Sequence, residues 1–264
     1  MLRITNLTKI FFKGSANENI AVKNINLTVP DADFVTIVGS NGAGKTTLLN
    51  LIGGVILPDQ GKIEIGKKNV TNFPDYKRAK FIGRVFQNPL QGTAASLTIE
   101  ENLAISDLRG RRKGLHLAVT HRKREKFREK LKTIGLGLEE RLQERVESLS
   151  GGQRQALTIF MATFAQPELL LLDEHTANLD PKTAQKILFL TQKLVTEKKL
   201  TTLMVTHNME QALQFGNRTI MMHKGEIILD ISGKEREKME VKDLLDKFSE
   251  VKKERLAEDK MLLI

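Results

Sequence analysis

Cysteine is absent from this chain. That excludes a disulfide framework, a thiolate metal site and a cysteine nucleophile, and it fits a reducing compartment. Long hydrophobic runs are lacking too: stretches such as Leu169 to Leu172 are far too short to cross a bilayer. The opening MLRITNLTKIFF has no apolar stretch leading to a small-residue cleavage site, so no secretory signal is expected there. Cytoplasm is the expected compartment, and any membrane role is expected to pass through a partner. With 264 residues the chain can bury a sizeable α/β core without staples. Its net charge of +10 and pI near 9.7 are compatible with attraction to nucleic acid or anionic headgroups, and equally with a basic solvated surface.

Residues 2 to 66 alternate apolar and polar positions in short segments (LRITNL, AVKNINLTV, GKIEIG) separated by turn residues, which predicts antiparallel strands. Among them, FVTIV at 34–38 is a short β-branched run that ends at a glycine loop and precedes the helix-like stretch Thr46 to Ile52. Between about 89 and 148 the composition turns polar and basic, with helical spacing in HRKREKFREKLKTIGL, and reads as a helical insertion. Its basic cluster of Arg109, Arg111, Arg112, Lys113, Arg122, Lys123 and Arg124 suits either anionic headgroups or a solvated face. Beyond it, LTIFMATFA reads as a buried helix, LLLLDE and TTLMVTH as interior parallel strands, and PKTAQKILFLTQKLV as the crossover helix between them. From Gly233 the tail is charged, amphipathic and expected to be helical.

Three short motifs carry the chemistry. Gly39-Ser40-Asn41-Gly42-Ala43-Gly44-Lys45-Thr46, followed by Thr47, matches the phosphate-loop pattern G-x-x-x-x-G-K-[ST] and sits between a strand and a helix start. Its glycines let consecutive backbone N–H groups converge on phosphate oxygens, Lys45 reaches the terminal phosphates, and the Thr46 hydroxyl suits Mg2+. The run Leu169 to Leu172 delivers Asp173 and Glu174 at the carboxyl end of a strand, where open α/β sheets bind ligands. Asp173 would hold Mg2+ and Glu174 would accept a proton from attacking water, although taken alone the run also suits an ordinary strand end. Third, Leu149-Ser150-Gly151-Gly152-Gln153 places a serine and two glycines at a helix start, which makes a second anion site.

With that third motif lying between the first two, the sequence resembles the ATP-binding subunits of ABC transporters, from LRITNLTK to MMHKGEI. The resemblance implies a P-loop NTPase fold of the ABC ATPase kind: a RecA-like core, an antiparallel β subdomain and a helical subdomain. The expected division is 1–88 for the antiparallel subdomain and phosphate loop, 89–150 for the helical subdomain, 151–232 for the rest of the core and 233–264 for the tail. It implies ATP and Mg2+ as ligands, and a head-to-tail dimer, expected to be of identical subunits, in which Ser150, Gly151, Gly152 and Gln153 face the γ-phosphate held by the opposite subunit. Further positions follow one by one: Gln87 as the glutamine touching Mg2+ or water, Asp180 in Ala177-Asn178-Leu179-Asp180 as the residue joining the two sites, and His207 as the γ-phosphate contact. Asp180 also reads as an N-cap before Pro181. Phe11 is the expected adenine-stacking aromatic, with Phe12 as its alternative.

Two departures mark a subgroup: His175 stands where many members have proline, and Ala156 where a basic residue is common. HNMEQALQFGNRTIMMHKGEI and GRVFQNPLQGTAASLTIEENLA are similar to ATPases of bacterial amino-acid uptake systems whose permeases resemble branched-chain amino acid permeases, some serving aromatic amino acids. The resemblance implies membrane permease partners, a substrate-binding protein if the system imports, a peripheral place on the cytoplasmic membrane face and no nucleic acid. An exporter or lipoprotein-release ATPase would use the same chemistry, and a non-transport ATPase acting on nucleic acid or a soluble assembly is the alternative from another class.

Overall fold

The strands divide between two sheets, one antiparallel and one largely parallel. In the computed structural model, which describes residues 1–110 and 118–250, β1 (Leu2–Phe11) and β2 (Asn19–Val29) bury alternate side chains. With β4 (Gln60–Ile65) and β5 (Lys68–Asn69) they form an antiparallel sheet in the order β2-β1-β4-β5. The second sheet is built from β3 (Phe34–Gly39), β6 (Ile82–Val85), β7 (Leu169–Asp173), β8 (Thr202–Val205), β9 (Arg218–His223) and β10 (Glu226–Ser232), ordered β10-β9-β3-β8-β7-β6, with the central β3, β8 and β7 buried on both faces and the edge strand β10 only partly covered. All its pairings are parallel except β9–β10. The near-continuous apolar runs of β3 and β7 are what such double-sided burial demands.

Helices supply the covering layers. Between the sheets lies one core, built from Leu2, Ile4 and Ile63 with Leu48, Leu49 and Ile52 of α1 (Lys45–Gly53). The short α2 (Asp75–Arg78) sends Arg78 inward, where its guanidinium donates to the carbonyls of Leu51 and Ile52 at the end of α1 and to those of Thr71 and Phe73. The second core gathers α3 (Ile99–Asp107), α4 (His121–Lys132), α5 (Gly151–Phe164) and α6 (Pro181–Glu197). α4 buries only Phe127 and Leu131, and the Phe127 ring packs edge-on against Phe164, 5.8 Å between centroids. α7 (Met209–Gln214), α8 (Gly233–Glu237) and a helical stretch at 241–250 close the far edge, with Leu244 buried beneath them.

The basic cluster of the insertion is not one uniform face. Arg109 is half-buried and donates to the Ala162 carbonyl, Arg124 makes a bidentate pair with Glu100, and Lys123 lies 3.6 Å from Asp107. Arg111, Arg112 and Lys113 lie outside the described residues, as does the tail from 251.

Strand order positions the site. Because β8 lies between β3 and β7 and all three run parallel, their carboxyl ends open on one edge, bringing the 39–47 loop, Asp173-Glu174 and His207 together.

Candidate active site

The glycine loop wraps the start of α1 in a conformation that side chains would block. Gly44 has φ +97, and a Cβ there would lie 2.3 Å from the Ala21 carbonyl oxygen. The turn between β9 and β10 braces the loop, since Gly225 donates its N–H to the Ala43 carbonyl. Lys45 folds its ammonium back onto the carbonyls of Gly39 (2.8 Å) and Ser40 (3.1 Å), and burial pulls its pKa down against the opposing pull of Glu174 and Asp173. A buried cation at a glycine-rich loop that opens a helix suits a polyanion.

A cleft of about 390 Å³ opens here, lined by Phe11, Asn19, Ala21, residues 41–47 and Glu174. Phe11 flanks it, with the Lys9 ammonium 5.7 Å from its ring centroid. Phe12 is 71 % exposed and lines no part of the cleft. A larger hollow of about 600 Å³, lined among others by Met1, Lys67, Glu168 and Lys198, contains none of the expected site residues.

Asp173 closes the metal side. Burial raises its pKa; Arg84, 3.5 Å away, and the Thr46 hydroxyl that hydrogen-bonds it act in the opposite sense, while Glu174 adds to the rise. The same Arg84 Nη2 donates to Asn50 Oδ1 at 2.6 Å, so an arginine on β6 ties α1 to β7. A hydroxyl beside a carboxylate is an all-oxygen donor set, which fits Mg2+ held jointly with phosphate oxygens. No cluster of three or more His, Cys, Asp or Glu among the described residues offers a metal a cage of its own. Glu174 has left-handed φ +43, and its Oε2 lies 3.6 Å from Nδ1 of His207, whose side chain is mostly exposed. The arrangement can therefore bind a polyphosphate and a hard cation, with a free carboxylate to polarise water.

The remaining expected residues lie elsewhere. Ser150 caps α5: its hydroxyl accepts from the Gln153 N–H, while Gln153 Oε1 accepts from the Ser150 N–H. Gly151 and Gly152 face Leu179 and Thr183, so this helix start adjoins the segment bearing Asp180, which caps α6 through the Thr183 N–H. None of residues 150–153 or Asp180 lines the cleft. Gln87 is exposed, and its carbonyl accepts from Asn178 Nδ2 at 3.3 Å. Arg84, Asn50 and Asn178 were not foreseen: Asn178 stood inside a recognised motif without a role, and no spacing signal marks the other two.

A family model described as ABC transporter matches residues 22–177. A tyrosine transport ATP-binding protein of Clostridioides difficile is 46 % identical over 248 residues, covering 94 % of this chain and 98 % of the relative. A phosphonates import ATP-binding protein of a Ruegeria species is 34 % identical, covering 87 % of this chain and 88 % of its own. Among solved structures, the dimeric ATP-binding cassette MJ0796 bound to ADP and phosphate superposes with a TM-score of 0.74 at 33 % identity, covering 88 % and 98 % of the two chains. CbiO1 of Clostridium perfringens, part of an ABC transporter complex, superposes with a TM-score of 0.75 at 25 % identity, covering 93 % of each.

Proposed function

Since this chain belongs to the ABC transporter family of ATP-binding, ATP-hydrolysing subunits, we propose that it powers a membrane importer of amino acids, most specifically aromatic ones, as half of a nucleotide-sandwiching dimer. The substrate class rests on the near full-length likeness to a tyrosine transport ATP-binding protein. The dimer rests on one geometric observation: the serine-glycine helix start stands away from the cleft that holds the phosphate loop, so one chain carries two separate halves of a phosphate site. A second copy, placed head to tail, completes both.

In this reading the backbone N–H groups of 42–47 and Lys45 hold the phosphates while Phe11 stacks on adenine. Thr46 and Asp173, with Gln87, would hold Mg2+, which when bound neutralises charge on the terminal phosphates. Glu174 takes a proton from water; the water oxygen bonds to the γ-phosphorus as the bond to the β–γ bridging oxygen breaks, releasing phosphate and ADP. His207 steadies the γ-phosphate, Ser150 to Gln153 of the partner cover its other side, and Asp180 joins the two sites. Loss of the γ-phosphate removes the bridge between subunits, and this is the motion that drives a permease.

The permease's place is supported by the exposed apolar side chains of Val55 and Tyr76, which line a groove of about 320 Å³. We assign to it a cytoplasmic segment of a permease of the branched-chain amino acid type, with a substrate-binding protein on the opposite membrane face. No helix among the described residues is long and apolar enough to cross a membrane, so attachment to the cytoplasmic face would be peripheral. The deciding experiment is ATP turnover and size-exclusion chromatography of the wild type and Glu174→Gln in ATP and Mg2+. Expected are loss of turnover and an ATP-stabilised dimer in the variant; unchanged turnover would remove Glu174 as the base.

A further inference from the structure

The segment from Glu174 to Asp180 carries the water-polarising carboxylate at one end and the α6 cap at the other, yet its first peptide is unfavourable. Glu174 holds φ +43, a left-handed conformation that costs a non-glycine residue about 1 kcal/mol or more unless its surroundings enforce it. Backbone bonds account for part of the enforcement: Glu174 donates its N–H to the Val205 carbonyl, and the Ala177 N–H returns to the Glu174 carbonyl. The residue immediately after the strained position is His175, only 2 % exposed, with Nε2 3.2 Å from the hydroxyl oxygen of Thr191. Thr191 is itself buried near the middle of α6 and gives its own hydroxyl proton to the Ile187 carbonyl, 2.8 Å away. The Thr191 oxygen therefore faces His175 as an acceptor, and the proton between them belongs to Nε2.

We propose that His175 is a positioning residue for ATP hydrolysis: its Nε2–H, anchored on Thr191, locks the left-handed turn that aims the Glu174 carboxylate at the attacking water. A buried hydrogen bond from the next side chain to a rigid helix is the device that such a strained turn needs, because it converts a rotation of the Glu174 peptide into the loss of a buried bond. The bond also joins the carboxylate to the helix whose first turn is capped by Asp180, so a displacement of α6 would be felt at Glu174. Proline, which has no hydrogen bond to offer, would stiffen this place in another way; histidine ties it to a particular helix.

The inference rests on Glu174 being the base, and the test keeps the two apart. Steady-state ATP turnover, fluorescent-nucleotide affinity and thermal melting are measured for His175→Leu, His175→Gln, Thr191→Val, Thr191→Ser and the double variant His175→Leu/Thr191→Val, with Glu174→Gln as reference. Expected is a fall in kcat of about tenfold for His175→Leu and for Thr191→Val, the rate equivalent of one buried hydrogen bond, with KM for ATP and nucleotide affinity unchanged. The double variant should be no worse than either single one, and the Gln and Ser variants, which keep a donor and an acceptor, should recover most of the rate. Long-range proton–nitrogen NMR of protein labelled with 15N-histidine, assigned through His175→Gln, should place the His175 proton on Nε2 and lose that signature in Thr191→Val. Full kcat in His175→Leu, or loss of rate that follows loss of nucleotide affinity and melting temperature equally in all variants, overturns the positioning role. If Glu174→Gln itself turns over normally while the NMR signature is present, the fault lies with the base assignment and not with the hydrogen bond.

Discussion

A methyl group on Gly42 would meet nothing within 4 Å, whereas one on Gly44 would sit 2.3 Å from a carbonyl oxygen, although both residues have left-handed φ. Gly42→Ala is therefore expected to cost about 1 kcal/mol from backbone preference alone. Gly44→Ala should cost about 3 kcal/mol, because the Ala21 strand must also move. Urea unfolding without nucleotide measures both. A second residue-scale expectation concerns pH. Burial, with Lys130 nearby, lowers Lys198 from 10.5 to about 8, and its ammonium donates to the carbonyl and hydroxyl of Thr163. Between pH 8 and 10.5 the unfolded chain holds a proton at this lysine that the native state has released, so stability rises with pH across that window. From pH 8 to 10 the wild type should gain roughly 2 kcal/mol relative to Lys198→Met, read by denaturant unfolding at each pH.

Helix starts separate structural from functional serine and threonine. Thr98 and Ser150 both form capping boxes, Thr98 with Glu101 and Ser150 with Gln153. Replacing either by alanine should cost about 1 kcal/mol of stability. Only Ser150 begins the helix assigned to a partner's γ-phosphate. Ser150→Ala is accordingly expected to lower kcat and weaken the ATP-dependent dimer, while Thr98→Ala leaves turnover as in the wild type; melting curves and ATPase assays on the pair check this. The same scale explains what was legible. FVTIV and LLLLD announce double-sided burial through composition, and the phosphate loop announces itself through glycine spacing. The insertion was harder to read: its basic residues look alike in sequence, but Arg109 donates to the Ala162 carbonyl and Arg124 is held by Glu100, choices made by packing on α5 and α3.

At the scale of the molecule, the proposed function assigns two surfaces to partners: the cleft to a second copy, and the groove lined by Val55 and Tyr76 to a permease. Tyr76, 69 % exposed at the head of α2, belongs to the second surface and lies outside the cleft. Tyr76→Asp should leave ATP turnover of the isolated subunit unchanged while reducing co-purification with the permease and amino-acid uptake; normal uptake would move the docking site elsewhere. The sequence by itself determined the local chemistry, because phosphate cradles, strand-end carboxylates and helix caps depend on residues within a few positions of one another. Only the tertiary structure decided which of those pieces share a cleft. The placement of β8 between β3 and β7 brings His207 to Glu174, the packing of α6 brings Thr191 to His175, and the pairing of β6 with β7 sets Arg84 beside Asp173. The physical reason is separation along the chain: contacts closed over 16 to 89 residues depend on how whole layers stack, and no short pattern records that.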